Sequence, residues 1–489
     1  SQKQWHPNPN YRDGERDYPI NTKESAVHPL MFSGVGGSAT LYAGHWTPFM
    51  PSDFRVRTLD GVADDWPISY EELTPFLEEI AREVGVSGLG GNPAYPPKMG
   101  YPTPALPIGK VGSKAAECLD AMGWHWWPGT NAIPSLPHNG LNACVRRGTC
   151  MSGCPEGAKS TTDITHWPHA IKAGARLITG ARVRKITTND VGLATGAVYV
   201  DQSGREREQK ASIVIICANG IGTPRLLLLS ANSRFPEGLA NSSGLVGKRL
   251  MMHPFSAVQA TFNEDLESWR GPFGQNISSY EFYETDKSRG FVRGAKWGIM
   301  PAGGPLGATS FVGSKAFTDP DAKVEDMWGT NFHDMVERRF GRSMVWGIIG
   351  EDLPEESNQV LLDPTLTDSD GIPAPKLLYK VSENSERMLR FNEERCVEAC
   401  LAGGAIETNV FHQMPDTGWH LLGTCMMGND PKKSVVDQWG ATHDVPNLYI
   451  FDGSTFPTSA GLNPTATIMT LALRQTRRLI EQRQKQEVA

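Results

Sequence analysis

Ile213-Val214-Ile215-Ile216-Cys217-Ala218-Asn219-Gly220-Ile221-Gly222-Thr223-Pro224, running on into Leu226 to Leu229, is the stretch that decides the fold. Its first four residues are apolar without alternation, the pattern of a strand buried on both faces. A tight glycine turn follows, then an apolar run of helical character. Strand, glycine turn and helix in that order are the layout of a nucleotide-binding unit. The strand is expected over 211–218. Upstream, 182–188 and 194–201 read as two further strands, with Ser203-Gly204 turning the chain before the third.

Further toward the start, 69–86 reads as a helix. Leu73, Leu77, Ile80 and Val84 repeat at helical spacing, and Glu71, Glu72, Glu78 and Glu79 face water. Ser69 and Glu72 can form a capping box, while Pro75 also allows a start at Thr74. Ser33-Gly34-Val35-Gly36-Gly37-Ser38-Ala39 is a glycine-rich turn that lets backbone approach a phosphate or ring closely, or simply turns the chain.

The middle differs. Residues 343–351, 358–363 and 376–381 read as antiparallel strands joined by Pro/Asp/Gly turns. An antiparallel sheet beside a doubly wound half suggests a second, substrate-facing domain over 255–411. The expected fold class is an α/β, Rossmann-like cofactor-binding domain with an interleaved α+β substrate domain carrying an antiparallel sheet.

Composition bounds the function. A chain of 489 residues exceeds what one core of roughly 250–300 residues supports. With 39% hydrophobic and 21% charged residues it is not disordered, and a net charge of −7 argues against nucleic-acid binding. No apolar run approaches the roughly 20 residues of a membrane span. Residues 1–10 are polar, lack Met and carry no signal-like apolar core, so a processed or absent start is expected.

Near the C-terminus, Trp419-His420-Leu421-Leu422-Gly423-Thr424-Cys425-Met426-Met427-Gly428 precedes a strand from Leu448 that ends at Asp452-Gly453-Ser454. Asn463-Pro464-Thr465 then opens a helix, Asn463 as N-cap and Pro464 as first helical residue. A helix N-terminus offers free N–H groups and partial positive charge, suited to negative charge on a cofactor ring. By spacing alone a core histidine is the favoured reading of His420 and a plain cap that of Asn463. Three of the eight Cys cluster as Cys144-Val-Arg-Arg-Gly-Thr-Cys150-Met-Ser-Gly-Cys154-Pro155. Three thiolates on a glycine-containing loop can converge on a soft metal centre, and a three-iron cluster needs three. The same spacing also suits one buried thiol with one local disulfide. Trp124, Trp126 and Trp127 could stack on a sugar face or pack in the core.

At these residues the sequence resembles the glucose–methanol–choline (GMC) family of flavin oxidoreductases. The match runs through Gly36-Gly37-Ser38, Pro51-Ser52-Asp53-Phe54, Asp65-Trp66-Pro67-Ile68-Ser69-Tyr70, Asn219-Gly220 with Thr223-Pro224, His420 to Gly428, Asp452-Gly453-Ser454 and Gly461 to Thr465, in the family's order. The Cys144/Cys150/Cys154 spacing is similar to that of bacterial sugar dehydrogenases of the family.

The resemblance implies non-covalent FAD and alcohol oxidation. His420 would take the hydroxyl proton and Asn463 would orient the hydroxyl. Gly36, Gly37, Ser38, Val183, Asn219, Asp452, Gly453, Pro464 and Thr465 would line the cofactor. A 3Fe-4S cluster on Cys144, Cys150 and Cys154 would pass electrons to a cytochrome c, beside a small accessory subunit. The setting would be periplasmic, with membrane association only through partners. The implied division is 1–60, 155–254 and 412–489 for FAD, 61–154 for a cap helix and the Cys loop, and 255–411 for substrate.

The substrate would be a sugar or glycoside, with a bulky aromatic alcohol as an alternative. An oxygen-using oxidase with inert thiols and a non-catalytic subunit are the rival readings. The family's opening Gly-x-Gly-x-x-Gly unit is not found, and we expect it in the residues that precede those given; a true truncation would bind FAD poorly. His45 stands too far after Gly37 for the covalent flavin link of some relatives.

Overall fold

The computed structural model describes residues 17–97, 100–301 and 330–488. The deciding strand forms at its centre only, Val214–Ile216, and pairs in parallel with Leu448–Ile450. Burial on both faces, expected from its composition, is not observed. Ile216 is buried with Leu448 and Ile450, but Ile215 is 44% exposed. In the two-stranded ladder alternate side chains face opposite ways, and only one face lies on the core.

The helix Asn219–Leu229 follows, as expected. Asn219 adopts a left-handed φ of 63°, and its side-chain oxygen accepts from the N–H of Ile221 at 2.9 Å. Gly220 lies against the segment that carries His420. Its N–H donates to the Leu421 carbonyl at 3.1 Å, and a Cβ there would stand 2.5 Å from the Leu421 carbonyl carbon.

The strands Arg182–Thr188 and Ala194–Val200 form where expected. The Ser203-Gly204 turn leads instead into Glu206–Lys210, which pairs antiparallel with Ala194–Val200. That strand is Glu-Arg-Glu-Gln-Lys, exposed throughout, so no apolar alternation announces it.

The second layer is a six-stranded antiparallel sheet in the order Glu407–Phe411, Phe255–Thr261, Ser343–Gly350, Ala295–Pro301, Ile277–Ser279, Trp127–Pro128. Phe255–Thr261 and Ser343–Gly350 are buried at every residue. Helices Gly109–Asp120 and Glu383–Ala402 share one core with this sheet. Trp124 belongs to that core, edge-on to Phe282 at 4.9 Å and to Trp297 at 6.1 Å, so packing rather than sugar stacking accounts for it.

The strands expected near 358–363 and 376–381 form Gln359–Thr367 and Pro373–Tyr379, but in a different sheet from Ser343–Gly350. Their third partner is Asn21–Ser25, parallel to Pro373–Tyr379. Val360, Leu377 and Tyr379 bury their side chains with Val27, Ile221 and Leu250, which draws them onto the nucleotide-binding half.

The helix Tyr70–Val84 has the full capping box. Ser69 Oγ accepts from the Glu72 N–H at 3.3 Å, and Glu72 Oε1 accepts from the Ser69 N–H at 3.2 Å. Pro75 lies inside the helix rather than at its start. Ile80, Ala81 and Val84 share a cluster with Ala466 and so brace the first turn of the last helix, Thr465–Val488. That helix begins one residue later than expected, with the Pro464 carbonyl accepting from the Ile468 N–H at 2.9 Å.

Replacing Gly220 with Ala sets a methyl group against the Leu421 carbonyl. We expect a loss on the order of 2–3 kcal/mol, seen as a lower thermal midpoint. An unchanged midpoint would show that the contact can relax.

Candidate active site

Two polar loops are brought together by one antiparallel bridge. Met251 and Leu422 exchange N–H···O bonds of 3.1 Å each way. Two residues on from Met251 and two back from Leu422, His253 and His420 therefore face each other. Their Nδ1 atoms are 2.7 Å apart and their rings nearly perpendicular at 82°. The second ring nitrogen of His253 points at two backbone carbonyls, Ser459 at 3.0 Å and Ala460 at 2.6 Å.

Asn463 is not the helix cap it resembles. Its carboxamide turns away from the helix and reaches His420, with Nδ2 at 3.4 Å from Nε2. The amide oxygen accepts from Lys296 Nζ and lies 3.2 Å from His45 Nδ1. Lys296 Nζ carries N–H donors whether or not it is charged and meets the Asn463 oxygen, which leaves the amide nitrogen to face His420. Lys296 also donates to Gln275 Oε1 at 2.9 Å, and its Nζ lies 3.3 Å from His45 Nδ1.

This collection of nitrogen bases is held in the neutral range. Burial pushes Lys296 down to about 7 and His253 down to about 4. His420 falls well below its ordinary value through burial, reinforced by His253, Lys296 and His45. His45 falls likewise, by burial and then Lys296. A neutral imidazole can accept a proton, which is the state a general base requires.

The other expected residues divide into groups. Asp452 accepts from the Asn219 N–H at 3.0 Å, Thr223 Oγ1 at 2.6 Å and the Ser454 N–H at 2.8 Å, which joins two expected cofactor positions. Burial raises its carboxyl above the ordinary range. Gly453 lies beside the His420 loop; its carbonyl accepts from the Gly423 N–H at 3.2 Å, and a Cβ would stand 2.6 Å from Leu422 Cδ2. Pro464 and Thr465 open the last helix directly after Asn463.

Gly36, Gly37 and Ser38 form a separate turn in which Thr162 Oγ1 donates to the Gly36 carbonyl at 3.0 Å. Gly37 has a φ of +59°, and a Cβ there would meet nothing within 4 Å, which leaves room for a flat group to pass. Val183 is 41% exposed on its strand. No hydrogen bond recorded among the described residues links that turn or Val183 to His420 or Asn463.

Cys144, Cys150 and Cys154 line one cavity with Arg146 and Lys159, and all three are free thiols. Every sulfur accepts from backbone N–H, Cys144 from Arg146 at 3.4 Å, Cys150 from Phe273 at 3.4 Å and Cys154 from Ala158 at 3.3 Å. Among the described residues no three His, Cys, Asp or Glu side chains are placed to share a single metal ion.

Sequence reading missed His253, Lys296 and Gln275. Lys296 had a signal: a lone cation in the otherwise apolar strand Ala295–Pro301. His253 had none, since its partner lies 167 residues away.

Residues 133–255 and 354–472 match GMC oxidoreductase family models. Over 480 residues the chain is 43% identical to 2-methyl-1,2-propanediol dehydrogenase of Mycolicibacterium austroafricanum, covering 97% of this chain and 85% of that protein. The chain belongs to the GMC oxidoreductase family. It is also 30% identical to the fructose dehydrogenase large subunit of Gluconobacter japonicus, over 96% of this chain and 85% of that one. Pyridoxine 4-oxidase from Mesorbium loti shares the fold, with a TM-score of 0.64 at 17% identity over 94% of this chain and 87% of that chain. As a GMC oxidoreductase this is an FAD-binding enzyme that oxidises CH–OH groups.

The depressed His420 value sets a pH dependence for this GMC enzyme. The neutral base is present above its lowered pKa and lost as pH falls through it. The acid limb of kcat/KM should therefore lie well below pH 6.5, the ordinary imidazole value. A limb at or above 6.5 in a kcat/KM titration contradicts this.

Proposed function

We propose that the enzyme is a dehydrogenase acting on a hydroxyl-bearing carbon of a small polyol, from a branched diol to a sugar. The observation that carries the reading is the approach of His420 Nε2 and Asn463 Nδ2 to 3.4 Å of each other. His420 takes the hydroxyl proton at Nε2. Asn463 donates to the same oxygen and orients the carbinol carbon. The start of the Thr465–Val488 helix favours negative charge beside them. Gln275 Nε2 is buried without a partner among the described residues and offers a donor to a neighbouring hydroxyl. The identity to a diol dehydrogenase and to the fructose dehydrogenase large subunit supports a polyol over an aromatic alcohol.

FAD supplies the hydride acceptor when bound. The open space beside Gly37 fits a flat ring, and Gly36, Ser38, Val183, Asn219, Asp452, Gly453, Pro464 and Thr465 would complete its surroundings. The contacts of His45 with Lys296 and Asn463 favour non-covalent attachment.

Cys144, Cys150 and Cys154 would hold a 3Fe-4S cluster, which supplies a one-electron exit. Each iron of such a cluster takes one thiolate, so its thiols surround a cavity rather than crowd one ion. Backbone N–H donors on all three sulfurs fit anionic sulfur. A small accessory subunit and a cytochrome c acceptor in the periplasm complete the proposal. The relative's name, a large subunit, supports an assembly.

Replacing His420 with Ala should lower turnover with a redox dye by roughly 10²–10⁴-fold while FAD stays bound; a normal rate removes it as the base. Metal analysis of the purified enzyme should give about three iron atoms and about four acid-labile sulfides per FAD. Iron-free protein that turns over alcohol with peroxide formation would mark an oxidase instead.

A further inference from the structure

We propose that His253 is a positioning residue that fixes the tautomer of His420, so that the lone pair of His420 sits on Nε2, the nitrogen facing Asn463. The inference rests on His420 as base and adds what makes it one.

The argument follows the protons. His253 Nε2 faces the carbonyl oxygens of Ser459 and Ala460 at 3.0 and 2.6 Å. Carbonyls only accept, so that nitrogen carries a hydrogen. His253 is 1% exposed, and burial disfavours a second proton on it. Its Nδ1 is therefore a lone pair. Across 2.7 Å lies His420 Nδ1, and two lone pairs do not face each other at that distance. His420 Nδ1 must donate, which leaves Nε2 unprotonated. The reverse assignment would place an N–H on His420 Nε2 and remove the base.

The carbonyl anchor is built in. His253 and Ala460 both hold left-handed backbone, φ 49° and 55°, unusual for residues with a Cβ. Such strain persists only where surrounding structure enforces it. Asp352 does so on both sides. It accepts from the Met252 N–H at 2.9 Å and from Tyr379 Oη at 2.6 Å. Its own N–H donates to Ser459 Oγ at 2.9 Å, and Ser459 Oγ in turn lies 2.9 Å from the Asp352 carbonyl. The segments carrying His253 and its two carbonyls are thus tied to one residue.

A further role follows from the same bond. Once His420 has taken a proton at Nε2 it is an imidazolium, and its Nδ1–H bond to His253 becomes charge-assisted. His253 thus does with a neutral acceptor what an acidic residue does behind other catalytic histidines.

Neutron diffraction on deuterated crystals of the oxidised holoenzyme tests the assignment. We expect deuterium on His420 Nδ1 and His253 Nε2, with His420 Nε2 and His253 Nδ1 bare; deuterium on His420 Nε2 overturns the proposal. In solution, His253→Phe keeps a ring but no acceptor, and kcat should fall roughly 100-fold or more with FAD content unchanged. His253→Asn returns an oxygen near the Nδ1 position and should recover to within about tenfold of wild type. A His253→Phe rate within threefold of wild type, or His253→Asn as slow as His253→Phe, counts against the idea. If His253→Phe loses FAD, the neutron map decides alone. A slow His420→Ala enzyme beside a His253→Phe enzyme within threefold of wild type would sink this inference and leave the base assignment standing.

Discussion

The Asn463 carboxamide joins two layers that the chain builds separately. Its oxygen is held by Lys296 from the antiparallel sheet, and its nitrogen faces His420 from the nucleotide-binding half. An amide has one accepting end and one donating end, so fixing one fixes the other. Lys296 is fully buried, and its recorded partners Asn463, Gln275 and His45 carry no negative charge to offset that burial, so its amine is pushed toward neutrality. The result is a pocket of donors and neutral imidazoles in which no carboxylate among the described residues bonds Lys296, His420 or His45, suited to removing a proton from an alcohol.

The surrounding structure serves to hold that geometry. The last helix delivers Asn463 and is braced by the capped helix Tyr70–Val84. The Gly220 contact seats the His420 loop on the first turn of the nucleotide-binding helix. Beside the Gly461 turn, Arg293 is buried between Asp53 and Glu351, with Tyr283 donating to Asp53 and accepting from the Gly461 N–H at 3.2 Å. Breaking such a buried pair by removing one partner costs about 3–5 kcal/mol, so this wall resists being remodelled piecemeal.

Much of this was legible in the sequence, for identifiable reasons. The capped helix shows because its signals are local: Ser69, Glu72 and four apolar residues at helical spacing. The strand Ser343–Gly350 shows because its burial dictates composition, and the strand–turn–helix at Val214–Leu229 shows through its apolar run and glycine turn, although only Ile216 of that strand is buried. His420 and Asn463 show as parts of a family pattern, and the structure puts them in contact. What escapes is long-range. The exposed strand Glu206–Lys210 exists only through its partner. The strands 359–367 and 373–379 change sheets because a cluster with Val27 and Ile221 draws them over. His253 becomes meaningful only when the Met251–Leu422 bridge places it against His420.

The most direct test of the central claim is a crystal structure of the holoenzyme with a bound polyol or an unreactive analogue. The account predicts one hydroxyl oxygen within about 3.2 Å of both His420 Nε2 and Asn463 Nδ2, with its carbon toward the flavin. A substrate hydroxyl held elsewhere, with neither side chain in hydrogen-bond reach, would contradict it.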